Sequence, residues 1–291
     1  MSEADNQLSH VKQLAIVGVG LMGGSIGTGL RLAGFSGKII GVGRRRESLD
    51  IAMRHRCVDG VTTNLGDAVR DSDMVIVAVN LGVFAQTFQC IAEHDHDGLI
   101  ITDVGSTKMQ VVADARRHLP DVSRFVGAHP MAGSEHSGPS SARPDLFANK
   151  TCIITPEADT DDDAAQTVAA LWRSLQMRVI FMSPKEHDEK SAAISHLPHA
   201  AAAMLVHIAN RIGGLEIAST GFRDTTRLAS SNPPMRADIM TANRDALLHA
   251  LDVLEQQINT LRGALSANEQ DKLMQWLEQA KRTRDDWADS V

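Results

Sequence analysis

The stretch that most restricts how this chain can fold is "LAIVGVGLMGGSIGTGL", residues 14–30. A short unbroken run of branched apolar residues reads as a strand covered on both faces, the kind found inside a parallel sheet. It leads into Gly18, Gly20 and Gly23, spaced GxGxxG, and then into a helical pattern with small residues on one face. Strand, glycine turn and helix in that order open a dinucleotide-binding βαβ unit. Gly18 permits the tight turn, Gly20 lets backbone approach a pyrophosphate, and Gly23 lets helix and strand pack closely. The helix start, beginning with Leu21 and Met22, offers free N–H groups and partial positive charge to the phosphates.

Similar apolar runs recur at 38–43, 73–79, 99–105, 124–129, 151–156 and 178–182, with helical patterns between most of them. That alternation predicts a doubly wound α/β sheet of parallel strands. After "SPKEHDEK" (183–190) the texture changes to long helical patterns rich in Ala, Leu and Met, with no convincing strand. Two domains are therefore expected in the 291 residues: a dinucleotide-binding domain over 1–183 and a helical domain over 184–291. A helical domain of that size has a thin core of its own. Its uncovered apolar stripes predict a homodimer formed through the helical domain.

The net charge of −7 and pI near 5.9 argue against nucleic acid as a partner, since such proteins present a basic face. An anionic small-molecule substrate would need a local cluster of Arg or His. Cys57, Cys90 and Cys152 show no CxxC spacing, so neither a disulfide framework nor a cysteine metal site is expected. The polar N-terminus lacks a signal pattern, and no apolar stretch approaches the roughly 18 residues that span a bilayer. A cytoplasmic protein with no membrane partner is the expectation. At the end of the second strand, where a carboxylate would bind a ribose 2′-hydroxyl, stands "GVGRRRESL". Arg44 and Arg45 there suit a 2′-phosphate, which makes NADP the preferred cofactor and NAD the alternative.

Three further blocks break the ordinary texture: "DVGSTK" (103–108), "GAHPMAGSEHSG" (127–138) and, in the helical part, "SHLPH" (195–199) with "GFRDTTRLASSNPPMRADI" (221–239). Together with the glycine loop, and in this order along nearly the whole chain, they resemble the prephenate/arogenate dehydrogenases of tyrosine biosynthesis. The resemblance implies a Rossmann-type nucleotide-binding domain followed by an all-helical dimerisation domain. It also implies an oxidative decarboxylation, in which a cyclohexadienol loses hydride to the nicotinamide, a proton to the enzyme and then carbon dioxide. His129 in "AHPMAG" takes the role of general base, a task suited to a neutral imidazole. Ser106 is assigned a hydrogen bond to the reacting hydroxyl or to His129, fixing its tautomer; capping the following helix is its other reading.

Arg227 in "DTTRLA" resembles the arginine that pairs with a substrate carboxylate, with Asp224 either orienting it or capping a helix. His199 matches a substrate-contacting histidine, His196 lies one turn before it, and Glu135 matches a residue gating the site. His196 and His199 lack a carboxylate that would complete a metal set, so no metal is expected. Arg236 stands where many relatives carry tryptophan. Two alternatives remain open on sequence: another two-domain NAD(P) oxidoreductase of the β-hydroxyacid dehydrogenase type, leaning on a lysine such as Lys190, and a dinucleotide-sensing protein without turnover. Whether the substrate is prephenate, arogenate or both is also open.

Overall fold

In the computed structural model, which describes residues 8–134 and 136–289, the apolar runs become strands of one sheet. They are β1 (Gln13–Val17), β2 (Lys38–Val42), β3 (Gly60–Thr62), β4 (Met74–Val77), β5 (Ile100–Asp103), β6 (Phe125–Pro130), β7 (Thr151–Thr155) and β8 (Arg178–Phe181). The order is β3-β2-β1-β4-β5-β6-β7-β8. Pairing is parallel from β3 across to β6. The winding reverses between β1 and β4, the switch point where α/β sheets collect ligands at the carboxyl ends of their strands.

Each strand is apolar on both sides because each side has its own core. Leu14, Ile16, Met74 and Ile76 enter one cluster, while Ala15, Val17, Val75 and Val77 enter the other. Helices α1 (Leu21–Leu32), α2 (Arg46–Arg54), α3 (Leu65–Arg70), α4 (Phe84–Ala92), α5 (Met109–His118) and α6 (Asp162–Ser174) cover the two faces. Ile26, Leu49 and Trp172 place α1, α2 and α6 on the first cluster. Val69, Phe88 and Val112 place α3, α4 and α5 on the second.

Two features depart from the sequence expectation. Strand β3, three residues long, is too short to carry a readable pattern. Strand β7 runs antiparallel to β6, with His129 opposite Ile153 and Pro130 opposite Cys152. A parallel return needs a long crossover, usually helical. Between β6 and β7 the described residues hold only one short 3₁₀ turn, Pro139–Ser141. That connection instead runs past α1, where Arg143 N donates to Ser25 Oγ at 3.0 Å. Helix α6 then supplies the crossover that makes β8 parallel to β7.

No strand follows β8 among the described residues. Helix α7 (Pro184–Ser191) passes through a π-helical turn at Ala192–His196 into α8 (Leu197–Ile212), followed by α9 (Thr220–Thr226) and α10 (Pro233–Ala242). The compact units are Met1–Asn243 and Arg244–Val291, so α7 to α10 lie in the same unit as the sheet. The second unit is a hairpin of α11 (Arg244–Ser266) and α12 (Gln270–Asp289). Asn268 adopts a left-handed φ of 54° at its turn, and Trp276 Nε1 donates to Gln257 Oε1 at 3.0 Å between its helices.

The reading that no apolar stretch approaches membrane-spanning length needs correcting. The continuous helix Pro184–Ile212 is long and apolar enough to cross a bilayer by length and composition, with 17% of its most apolar window buried. Alanines bring this about: interspersed with Leu, Ile and Met, they raise the mean hydropathy of a stretch whose large side chains follow helical spacing.

Candidate active site

The glycine turn has the geometry a dinucleotide requires. Gly18 adopts φ +98°, and a Cβ there would collide with the Ala78 carbonyl at the end of β4. A Cβ on Gly23 would collide with the Gly18 carbonyl, so that position must be glycine for α1 to sit so close to β1. At Gly20, by contrast, a Cβ would meet nothing within 4 Å. Open space lies where a pyrophosphate approaches the backbone. Gly20 is the N-cap of α1 and supplies no side-chain cap, and the first turn holds no acidic residue. The amides at Leu21 and Met22 therefore lack a side-chain cap at the helix's positive end. These residues fit a bound dinucleotide phosphate.

At the end of β2, Arg44 and Arg45 are exposed and neither pairs with a carboxylate among the described residues. Arg46 is occupied, its Nε lying 3.1 Å from Asp50 Oδ1.

His129 is the penultimate residue of β6, with 8% of its surface exposed. Its Nδ1 lies 2.8 Å from His187 Nε2, and His187 Nδ1 lies 2.7 Å from Asp188 Oδ1. The two rings meet edge to face, centroids 5.0 Å apart. Burial holds the His129 imidazole well below its usual pKa, helped by the neighbouring His187, Lys108 and His196. Burial also lowers His187, against the opposing pull of its hydrogen bond to Asp188. Both rings are thus neutral near pH 7, the state a proton acceptor needs.

Beneath this pair lies a buried ion pair. Lys108 and Asp103, both wholly buried, are in direct contact. Lys108 Nζ also donates to Ala128 O at 2.7 Å, while Asp103 Oδ1 accepts from Ala128 N at 3.0 Å. Both backbone groups of the residue before His129 are thereby fixed. The free amides at the start of α5 go to Asp188: Lys108 N donates to Oδ1 at 2.7 Å and Met109 N to Oδ2 at 2.9 Å.

Ser106 is half-buried and hydrogen-bonds to no described residue. It caps no helix and makes no bond to His129 in this structure. Asp188 caps the helix, and the Nδ1 of His129 is taken by His187. In the helical part, Asn243 Nδ2 donates to His196 Nδ1 at 3.0 Å and to Asp188 O at 2.8 Å. His196 therefore accepts at Nδ1, and burial lowers its pKa to about 4. His199 Nδ1 donates to Leu228 O at 3.1 Å, which leaves its Nε2 without a proton in the neutral ring. Burial and then the positive charges of Arg236 and Arg227 lower its pKa.

Arg227 is exposed, and Asp224 sits 3.8 Å from Arg223 rather than beside Arg227. Arg236 is half-buried, its Nε is buried without a hydrogen-bond partner, and burial lowers its pKa. Glu135 lies outside the described residues. Sequence reasoning missed His187 and Asp188, which sit in a charge-rich segment that looks like a linker, and Asn243, which carries no motif at all.

A glycine turn that opens onto an uncapped helix, in the same sheet unit as a buried neutral histidine, defines an oxidoreductase dependent on a nicotinamide dinucleotide. Residues 26–181 match the family model described as "Prephenate dehydrogenase, nucleotide-binding domain", and residues 183–279 match "Prephenate dehydrogenase, dimerization domain". The chain belongs to the prephenate dehydrogenase family. It is 36% identical to the prephenate dehydrogenase of Bacillus subtilis, over 96% of this chain and 76% of that one. It is 30% identical to the cyclohexadienyl dehydrogenase of Zymomonas mobilis, over 94% and 95%. Among solved structures, prephenate dehydrogenase from A. aeolicus in complex with hydroxyphenyl propionate and NAD+ superposes with a TM-score of 0.89. It shares 32% identity, over 94% of this chain and 98% of that one.

Proposed function

We propose that this chain oxidatively decarboxylates prephenate to 4-hydroxyphenylpyruvate with an NAD(P) cofactor, within tyrosine biosynthesis. The observation that carries the reading is His129, neutral and buried, with one ring nitrogen committed to His187. A nicotinamide dinucleotide held at the glycine turn would supply the hydride acceptor. His129 takes the proton of the ring hydroxyl at its other nitrogen, and Ser106 donates to that hydroxyl oxygen and orients it. Loss of hydride and carbon dioxide aromatises the ring, which drives the step. The protein's task is therefore orientation and proton removal, the latter worth on the order of 10² to 10⁴ in rate.

Arg227 pairs with a substrate carboxylate through its planar guanidinium. His199 and His196 line the substrate side. Arg236, with its unpartnered buried Nε, adds a second cation beside His199. A cation there favours the keto acid over the amino acid, whose ammonium it repels, so prephenate is the preferred substrate. Arg44 and Arg45, without a carboxylate partner among the described residues, support NADP over NAD.

The functional division falls near residue 183, where the two family models meet. The helical part forms a homodimer. On α8, Met204, Leu205, Ile208 and Ile212 are exposed along one stripe, the kind of apolar surface a second copy covers. The test is to mix purified protein with prephenate or arogenate and either cofactor, following reduced-nicotinamide absorbance and carbon dioxide. Fastest turnover is expected with prephenate and NADP+. No absorbance change with either substrate would refute the reading.

A further inference from the structure

The hydrogen bonds behind His129 decide which of its nitrogens reacts, an inference that rests on His129 being the base. Asp188 anchors the network. Its carboxylate receives Lys108 N and His187 Nδ1 at Oδ1 and Met109 N at Oδ2. A carboxylate with three donors around it only accepts, so His187 carries its proton on Nδ1. In the neutral ring Nε2 then holds a lone pair. The 2.8 Å contact to His129 Nδ1 can be a hydrogen bond only if His129 is the donor. His129 consequently carries its proton on Nδ1, and its Nε2 is bare. Which nitrogen of a histidine is free is set by the bond the other one makes.

We propose that His187 and Asp188 are positioning residues: they lock His129 as the Nδ1–H tautomer, and they hold the imidazolium formed when its Nε2 accepts the substrate proton. In that step the hydroxyl O–H bond breaks and its proton goes to Nε2. The electron pair left on oxygen forms the ring carbonyl as hydride leaves the carbon for the oxidised coenzyme. The His129 Nδ1–H bond to His187 becomes charge-assisted and strengthens. His187 is wholly buried and its own Nδ1 is tied to Asp188; the other group at its Nε2 is the Ser191 hydroxyl, whose Oγ at 3.3 Å donates to the same lone pair more weakly than His129 at 2.8 Å. The other groups bearing on His129 are Lys108, paired to Asp103, and His196, held by Asn243; Cys152 lies opposite Pro130 on β7. None of them hydrogen-bonds to Nδ1.

Two substitutions in the full-length protein separate this from a packing role. His187→Gln places an amide oxygen where Nε2 stood, so it accepts from His129 without titrating. His187→Leu accepts nothing. Long-range 15N correlations in histidine-labelled protein with NADP+ bound should show His129 as Nδ1–H in the wild type and in His187→Gln. The Gln variant should keep turnover within about threefold of the wild type. The Leu variant should show mixed tautomers and lose at least about tenfold in kcat with KM for substrate unchanged. The acid limb of its kcat/KM profile should move to lower pH, because the bond that favoured the protonated ring is gone. An Nε2–H tautomer in the wild type overturns the proposal, as does a Leu variant with wild-type kcat and pH limb. Should the Leu variant fail to fold, the wild-type and Gln spectra decide alone. If His129→Asn also retains full turnover, the base assignment has failed; if His129→Asn is inactive while His187→Leu is silent, only the positioning role falls.

Discussion

The substitution Lys108→Met tests how the backbone beneath His129 is held. Methionine reproduces the lysine stem as far as Cε, so most of the cavity stays filled while the charge and the donors vanish. Asp103 would keep the amides of Gly105 and Ala128, at 2.7 and 3.0 Å, but lose its cation, and Ala128 O would lose its 2.7 Å donor. Removing one member of a wholly buried ion pair costs about 3–5 kcal/mol, because the remaining charge is stranded. That is about a fifth or more of the roughly 5–15 kcal/mol that holds a typical domain folded. At about 2–4 °C per kcal/mol for a unit of this size, the melting midpoint should fall by about 6–20 °C. Urea titrations of wild type and variant measure the loss through the midpoint at constant slope. Lys190→Met provides the comparison, since its 2.6 Å pair with Glu186 is half-exposed and worth under about 1 kcal/mol. A Lys108→Met variant within 1 kcal/mol of the wild type would refute the buried-clamp reasoning.

Arg227→Ala should raise KM for prephenate at least about tenfold, the equivalent of 1.4 kcal/mol, with kcat little changed; an effect confined to kcat would contradict a binding role. Replacing Arg44 and Arg45 by serine should raise KM for NADP+ about tenfold and leave that for NAD+ unchanged. Stability should depend on pH through His196. Its folded pKa, about 4, lies below the unfolded value near 6.5, so the unfolded chain binds the proton first. Stability is therefore full above pH 6.5 and lost as pH falls toward 4, by about 2 kcal/mol from this residue at pH 5. His196→Asn, which keeps an acceptor for Asn243, should flatten that part of the profile in denaturation experiments; an unchanged slope would count against it.

Much of the sheet was legible because buried parallel strands and the glycine turn leave dense local signals. Seven of the strands coincide with apolar runs. The direction of β7 was not legible, since an unbroken apolar run such as "TCIIT" looks alike whichever way it pairs. The motif residues His129, His196 and His199 were conspicuous in sequence, each in a short block with proline. His187 was not: it sits in "SPKEHDEK", where five charged residues mask one buried ring. Lys108 and Asp103 flank "VGST", and nothing local says that both are wholly buried. Burial of polar groups comes from tertiary packing, which periodicity does not encode.

The most direct measurement is single-turnover hydride transfer by His129→Asn with prephenate and saturating NADP+, read as reduced-nicotinamide absorbance. Asparagine preserves polarity on β6 but takes no proton. The transfer rate should drop at least about a hundredfold while the cofactor binds as tightly as before and the thermal midpoint holds. A rate equal to that of the wild type would contradict the role of His129 as the base.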